Sequence, residues 1–198
     1  MRTVEINLYS FEELAKEVQT EVLEKYRDIN TSHNWYESTV DEFKTNEKDF
    51  AATEVYFRGF SSQGDGAMFE YDSISKEFYH SVIDSLDLPQ WKKKVLKKYT
   101  SISASGKHDG HYSHEKSVAH NILVDGDNGG ENYDNIGYLI SLVHQDIEEE
   151  IISRYERKAK ELYRTLEKEY DFLTSDEQII ETFKANEYTF EATGNMRR

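Results

Sequence analysis

Thr53-Glu54-Val55-Tyr56-Phe57-Arg58-Gly59-Phe60-Ser61-Ser62-Gln63-Gly64-Asp65-Gly66-Ala67-Met68-Phe69-Glu70-Tyr71-Asp72 decides the fold. Two runs rich in aromatic and apolar residues flank a polar loop that contains Asp-Gly. Glycine takes positive φ without steric penalty, so the pattern predicts a hairpin. Its strands are expected over residues 53–60 and 67–72. Both carry apolar groups on both faces, which predicts a pair in the interior of its sheet.

Helical periodicity surrounds this hairpin. Ser10 and Glu13 have the spacing of a capping box, and Tyr9 and Leu14 that of a hydrophobic staple. Phe11, Leu14, Val18, Val22, Tyr26 and Ile29 then recur at helical spacing, which predicts a helix over 11–29. A weak alternation before it, through Val4, Ile6 and Leu8, predicts an opening strand over 2–9. Further helices are expected over 35–48, 75–86, 90–98 and 175–185, with Pro89 suited to the first turn of the third. Strands are expected over 99–105, 117–124 and 188–192.

The longest periodic segment covers 134–170. Ile136, Ile140, Val143, Ile147, Ile151, Tyr155, Ala159, Leu162 and Leu166 form one stripe along it. That stripe either packs on the sheet or projects as the seam of a homodimer. The mixed order of helices and hairpins predicts one α+β domain over 1–198. Its sheet should be mainly antiparallel, of about five to six strands, and flanked by helices.

Composition narrows the function classes. Only 37% of residues are apolar, but 13% are aromatic, and large rings supply core area that short aliphatic content does not. There is no cysteine, so disulfides and thiolate metal sites are excluded. Glu5, Glu12 and Glu13 interrupt any apolar run near the start, and no window is long and apolar enough to span a bilayer. A soluble cytoplasmic protein is expected, without membrane contact. The net charge of −15 opposes generic binding to nucleic acid and suits a basic partner protein. Trp91-Lys92-Lys93-Lys94, with Lys97 and Lys98, is a local exception: a solvated helix face or an anion-binding patch.

Two polar loops are the candidate sites. In the first, Gly64, Asp65 and Gly66 are explained by a turn, whereas Ser61, Ser62 and Gln63 add hydroxyl and amide groups beyond what a turn needs. Successive backbone N–H groups in such a loop can cradle an anion. The second loop holds His108, His111 and His114, three of the seven histidines, with Tyr112 between the last two. His111 and His114 could supply imidazole ligands, with Asp109 or Glu115 adding an oxygen. The spacing matches no standard metal site, and in an extended strand 111 and 114 face opposite ways. No metal or other cofactor is therefore expected. His120 shares a face with Val118, Ile122 and Val124 and reads as a core histidine. Asp125-Gly126-Asp127-Asn128-Gly129-Gly130 imitates the start of a calcium loop, but Ile136 stands where the bidentate acid belongs. Nucleotide-binding, nucleophile-elbow and zinc-helix motifs are absent from the sequence.

Several phrases resemble a group of small phage and prophage proteins. They are Leu8-Tyr9-Ser10-Phe11-Glu12-Glu13-Leu14-Ala15-Lys16, Tyr26-Arg27-Asp28-Ile29-Asn30, Trp35-Tyr36-Glu37, Gly59 to Ala67, Gly110-His111-Tyr112-Ser113-His114 and Ala185-Asn186-Glu187-Tyr188-Thr189-Phe190. Members of that group are loosely labelled antitoxins of toxin–antitoxin systems. The resemblance implies a phage or mobile-element setting, and it implies that both loops belong to one site.

Three readings follow. The favoured one is an accessory binding or inhibitor protein. It would act on a host defence or toxin component, through a basic protein surface or a small nucleotide held by Ser61, Ser62, Gln63, Gly64, Asp65, Gly66, Tyr112 and His114. The second is a small hydrolase with Asp65 and His114 as acid–base pair, or with His111, His114 and Asp65 around a metal. The third is a structural dimer on the long helix. What separates them is whether Gln63 and Asp65 come within reach of Tyr112 and His114.

Overall fold

The computed structural model describes residues 5–126 and 133–197, and it is an α+β protein. The calcium-loop-like turn at 127–132 lies outside the described residues. The chain divides into two compact units, Met1–Ser38 with Leu166–Arg198, and Thr39–Thr165.

The larger unit is built on four antiparallel strands, β1 (Phe50–Arg58), β2 (Gly66–Ile74), β3 (Thr100–His108) and β4 (Val118–Gly126). They lie in chain order. The expected hairpin is present, with Arg58 opposite Gly66 and Phe57 opposite Ala67. Its two strands are not equivalent, however. β2 is interior and buries Ala67, Met68, Phe69 and Tyr71, whereas β1 is the sheet edge. Two-sided apolar character on β1 reflects half-buried residues at an edge, not a central position.

β3 and β4 pair without interruption from Thr100–Gly126 to His108–Val118. β2 and β3 pair at Tyr71–Gly106. Beside that point a helix intervenes. The Tyr155 hydroxyl accepts the Phe69 N–H at 3.1 Å and donates to the Phe69 carbonyl at 2.8 Å. A side chain thus satisfies backbone groups that a neighbouring strand would otherwise take.

Tyr155 belongs to α5 (Tyr133–Leu173), a helix of 41 residues. Ile136, Val143, Ile147, Ile151, Tyr155, Ala159, Leu162 and Leu166 of its stripe are buried within this chain. The remaining helices of this unit follow their local signals. In α3 (Lys76–Ser85) the Ser75 hydroxyl caps the start by accepting the Phe78 N–H, and Phe78, Tyr79, Val82 and Ile83 are buried. α4 (Gln90–Tyr99) starts directly after Pro89. α2 (Glu37–Asn46) leads into β1, and the nearly buried Glu47 carboxylate accepts the N–H groups of Asp49 and Phe50 there. Rings fill the core: Phe50 lies 4.9 Å from Tyr71 and 4.8 Å from Phe78, and Phe69 lies 4.6 Å from Tyr155.

In the smaller unit the first helix is shorter than its periodicity suggests. The capping box is present, with the Ser10 N–H donating to Glu13 at 2.7 Å. It opens only a 3₁₀ turn, Phe11–Glu13. Leu14 and Ala15 are extended, and α1 covers Lys16–Lys25. The Gln19 side-chain amide stitches the break by donating to the carbonyls of Phe11, Glu12 and Leu14. The described part of the expected opening strand reduces to a bridge between Tyr9 and Phe190. Ile6 and Leu8 are exposed, so nothing buries the alternation. α6 (Asp176–Ala185) precedes a two-strand ribbon of β5 (Thr189–Phe190) and β6 (Met196–Arg197). Phe11, Leu14, Val22, Ile179, Phe183 and Phe190 form this unit's core.

Candidate functional site

The β1–β2 loop is closed by its own aspartate. Gly59 turns the chain out of β1 with φ of +54°, and a Cβ there would lie 2.6 Å from the Asp65 carboxylate. That carboxylate accepts the N–H groups of Ser61 at 2.8 Å and Ser62 at 2.6 Å. The Asp65 N–H donates back to the Ser62 carbonyl at 3.1 Å. Backbone amides that could have cradled a ligand anion are therefore bound by an anion of the protein itself. The Phe60 ring holds the loop from behind, stacked with Phe57 at 6.0 Å and with Tyr163 of α5 at 5.5 Å.

The β3–β4 loop closes through the Asp109 N–H to the Ser117 carbonyl and the Ser117 N–H to the His114 carbonyl. His108 at the end of β3 reaches the Tyr112 carbonyl at 3.3 Å and lies 5.0 Å from the Tyr56 ring. Its N–H donates to Glu70, whose carboxyl is thereby held below the usual carboxylate range, with Lys107 adding to the effect. Glu115 is buried, with one oxygen 3.3 Å from Lys160 and the other 3.0 Å from His114 Nδ1. The Lys116 N–H donates to the same Nδ1 at 3.3 Å.

The two loops meet. A Cβ on Gly66 would lie 3.0 Å from the Ser113 carbonyl oxygen and 3.1 Å from His114 Cδ2. One on Gly64 would lie 3.9 Å from the Tyr112 ring. Gly66 thus backs onto Ser113 and His114, and Gly64 onto Tyr112. Ser61, Ser62, Gln63, His111 and Tyr112 are exposed beside this seam, while His114 is half-buried.

The same geometry separates some of the expected partners. Asp65 is engaged with Ser61 and Ser62, and His114 Nδ1 faces Glu115 and Lys116, so the two side chains are committed elsewhere. The His111 ring lies 5.6 Å from Tyr112. Among the described residues no group of three His, Asp or Glu side chains is placed to hold a metal. His120 is half-buried against the core, 2.9 Å from the Tyr71 hydroxyl and 4.8 Å from the Tyr155 ring, and burial pushes its imidazole down to about 4. Burial also raises the Tyr71 and Tyr155 phenols above the usual range.

Two features have no counterpart in the sequence reading. One is the ion pair of the buried Glu115 with the exposed Lys160, which depends on α5 passing beside the loop. The other is a cleft of about 300 Å³ in the smaller unit, lined by Phe11, Phe183, Tyr188 and the ion-paired Glu12 and Lys184 among others. Among the described residues no helix is long and apolar enough to cross a membrane.

A family model described as a domain of unknown function (DUF8835) matches residues 21–176, and the chain belongs to that family. No curated protein and no solved structure matches it.

Proposed function

We propose that this member of the DUF8835 family is a binding protein whose two joined loops, at 59–66 and 109–117, dock on a basic surface of a partner protein. The observation that carries this reading is the packing of Gly66 on Ser113 and His114 and of Gly64 on Tyr112. It makes one surface of two distant segments. Each loop is also closed by internal hydrogen bonds, so little conformational entropy remains to be lost on binding.

The net charge of −15 favours a basic partner and speeds its encounter. The resemblance to phage proteins supports a host-defence or toxin component as that partner, met in the cytoplasm. A small nucleotide is less well supported. Its phosphate would compete with Asp65 for the Ser61 and Ser62 amides. A hydrolase needs Asp65 and His114 to share a proton path, and each is held by other groups. A dimer seam on α5 lacks most of the stripe that suggested it, because all of those side chains but Ile140 are buried within the chain.

The test is affinity capture with wild-type bait and with a Gln63→Ala/Tyr112→Ala bait. Both positions are exposed, so the substitutions leave the core intact. A protein retained by the wild type and lost with the variant, at unchanged circular dichroism, supports the reading. Identical retained sets contradict it.

A further inference from the structure

Helix α4 reads Gln90-Trp91-Lys92-Lys93-Lys94-Val95-Leu96-Lys97-Lys98-Tyr99, with five lysines and no acid, in a chain of net charge −15. The lysines divide by face. Lys93 is buried and donates to the Asp84 carbonyl at 2.8 Å, and Lys97 pairs with the Asp84 carboxylate. These two secure α4 to α3. Trp91, Lys94 and Lys98 stand at i, i+3 and i+7, on one face, and all three are exposed.

Trp91 is 62% exposed, with Lys92 Nζ 5.7 Å from its ring centroid. At the other end Lys98 Nζ lies 4.7 Å from the Tyr99 ring, itself exposed. Asp84, the acid that α3 turns toward α4, is already held by Lys97. Asp87 is exposed in the connecting turn, and Asp125 on β4 stands opposite Ser101, just beyond the end of α4. Exposed lysines need no explanation beyond their own hydration. Among them stand two exposed rings, Trp91 and Tyr99, and cations interleaved with aromatic rings are the pairing that a single strand engages.

We propose that this face of α4 binds a single-stranded nucleic acid. Trp91 and Tyr99 offer their rings to bases, and Lys92, Lys94 and Lys98 contact phosphates. An acidic peptide would engage the ammonium groups and leave the rings in water. A membrane surface would need an apolar stripe, and Leu96 is turned inward instead. The charge of the whole chain opposes a polyanion at long range, so the contact is weak and confined to this face. It is independent of the loop surface, since no residue is shared, and either can fail alone.

Fluorescence anisotropy of a labelled oligothymidylate tests it at low ionic strength, with the full chain. Wild type binds saturably. Trp91→Ala weakens binding roughly five- to a hundred-fold, and Trp91→Tyr restores most of it. Lys94→Glu/Lys98→Glu weakens it further and lowers the slope of log affinity against log salt by about 1.4. Circular dichroism confirms the fold of each variant. Three results overturn the proposal: no binding by the wild type, an affinity unchanged by Trp91→Ala, or equal competition by polyglutamate.

Discussion

The Tyr71 hydroxyl and His120 Nδ1 meet at 2.9 Å although a strand lies between them. Tyr71 on β2 pairs with Gly106 on β3, and Gly106 pairs with His120 on β4. The Tyr71 ring passes over Gly106, where a Cβ would lie 2.3 Å from its Cε1 and 2.9 Å from Val118. A missing side chain on the middle strand lets the outer two make contact.

Gly106→Ala therefore displaces the Tyr71 ring and breaks its bond to His120. Overpacking of this kind costs about 1–3 kcal/mol, and the lost hydrogen bond about 1 more. Urea unfolding reads the change as a lower midpoint at constant slope. Tyr71→Phe keeps the ring and loses only the bond, so its cost is the smaller of the two.

Acid acts on the same pair. The folded protein holds His120 neutral down to about 4, while the unfolded chain takes up the proton near the ordinary value of 6.5. The unfolded state binds more protons between those limits, so stability is complete above pH 6.5 and falls as pH drops toward 4. His120→Gln should flatten that part of the profile. Equal slopes for both proteins between pH 5 and pH 6.5 would rule out His120 as the source.

Tyr155→Phe removes the group that satisfies both the N–H and the carbonyl of Phe69. Each buried backbone group left without a partner costs about 1–3 kcal/mol. A loss of about 2–6 kcal/mol is expected, with faster amide exchange at Phe69 than elsewhere in β2.

Asp65→Ala opens the β1–β2 loop without touching the core. Two N–H groups lose a charged acceptor, a change of roughly 1–3 kcal/mol softened by exposure to water. The Ser61 and Ser62 amides should exchange faster while β2 stays protected. Partner capture should weaken with it, because the surface loses its fixed shape.

Much of the fold was legible in the sequence, for identifiable reasons. Helices α3 and α6 form where their apolar periodicity places them, over 75–86 and 175–185, and the Asp-Gly loop joins two paired strands. The stripe from Ile136 to Leu166 predicted α5 because its period holds over the whole segment. The break at Leu14–Ala15 was hidden, since the apolar spacing continues across it and only Gln19 marks it. The edge position of β1 was hidden as well, because strand order is set by pairing that sequence spacing does not record. At the site, the polar loops were visible one by one. Their junction rests on Gly66 meeting Ser113, residues brought together by the sheet. The sequence shows a turn at Gly64, Asp65 and Gly66, but that the Asp65 carboxylate closes it by accepting from Ser61 and Ser62 is a feature of three-dimensional closure.

Hydrogen exchange on the chain with and without the partner retained by wild-type bait tests the joined surface most directly. Segments 59–66 and 109–117 should gain protection together, and Gln63→Ala/Tyr112→Ala should abolish the gain in both. Protection confined to one loop, or appearing in neither, would contradict it.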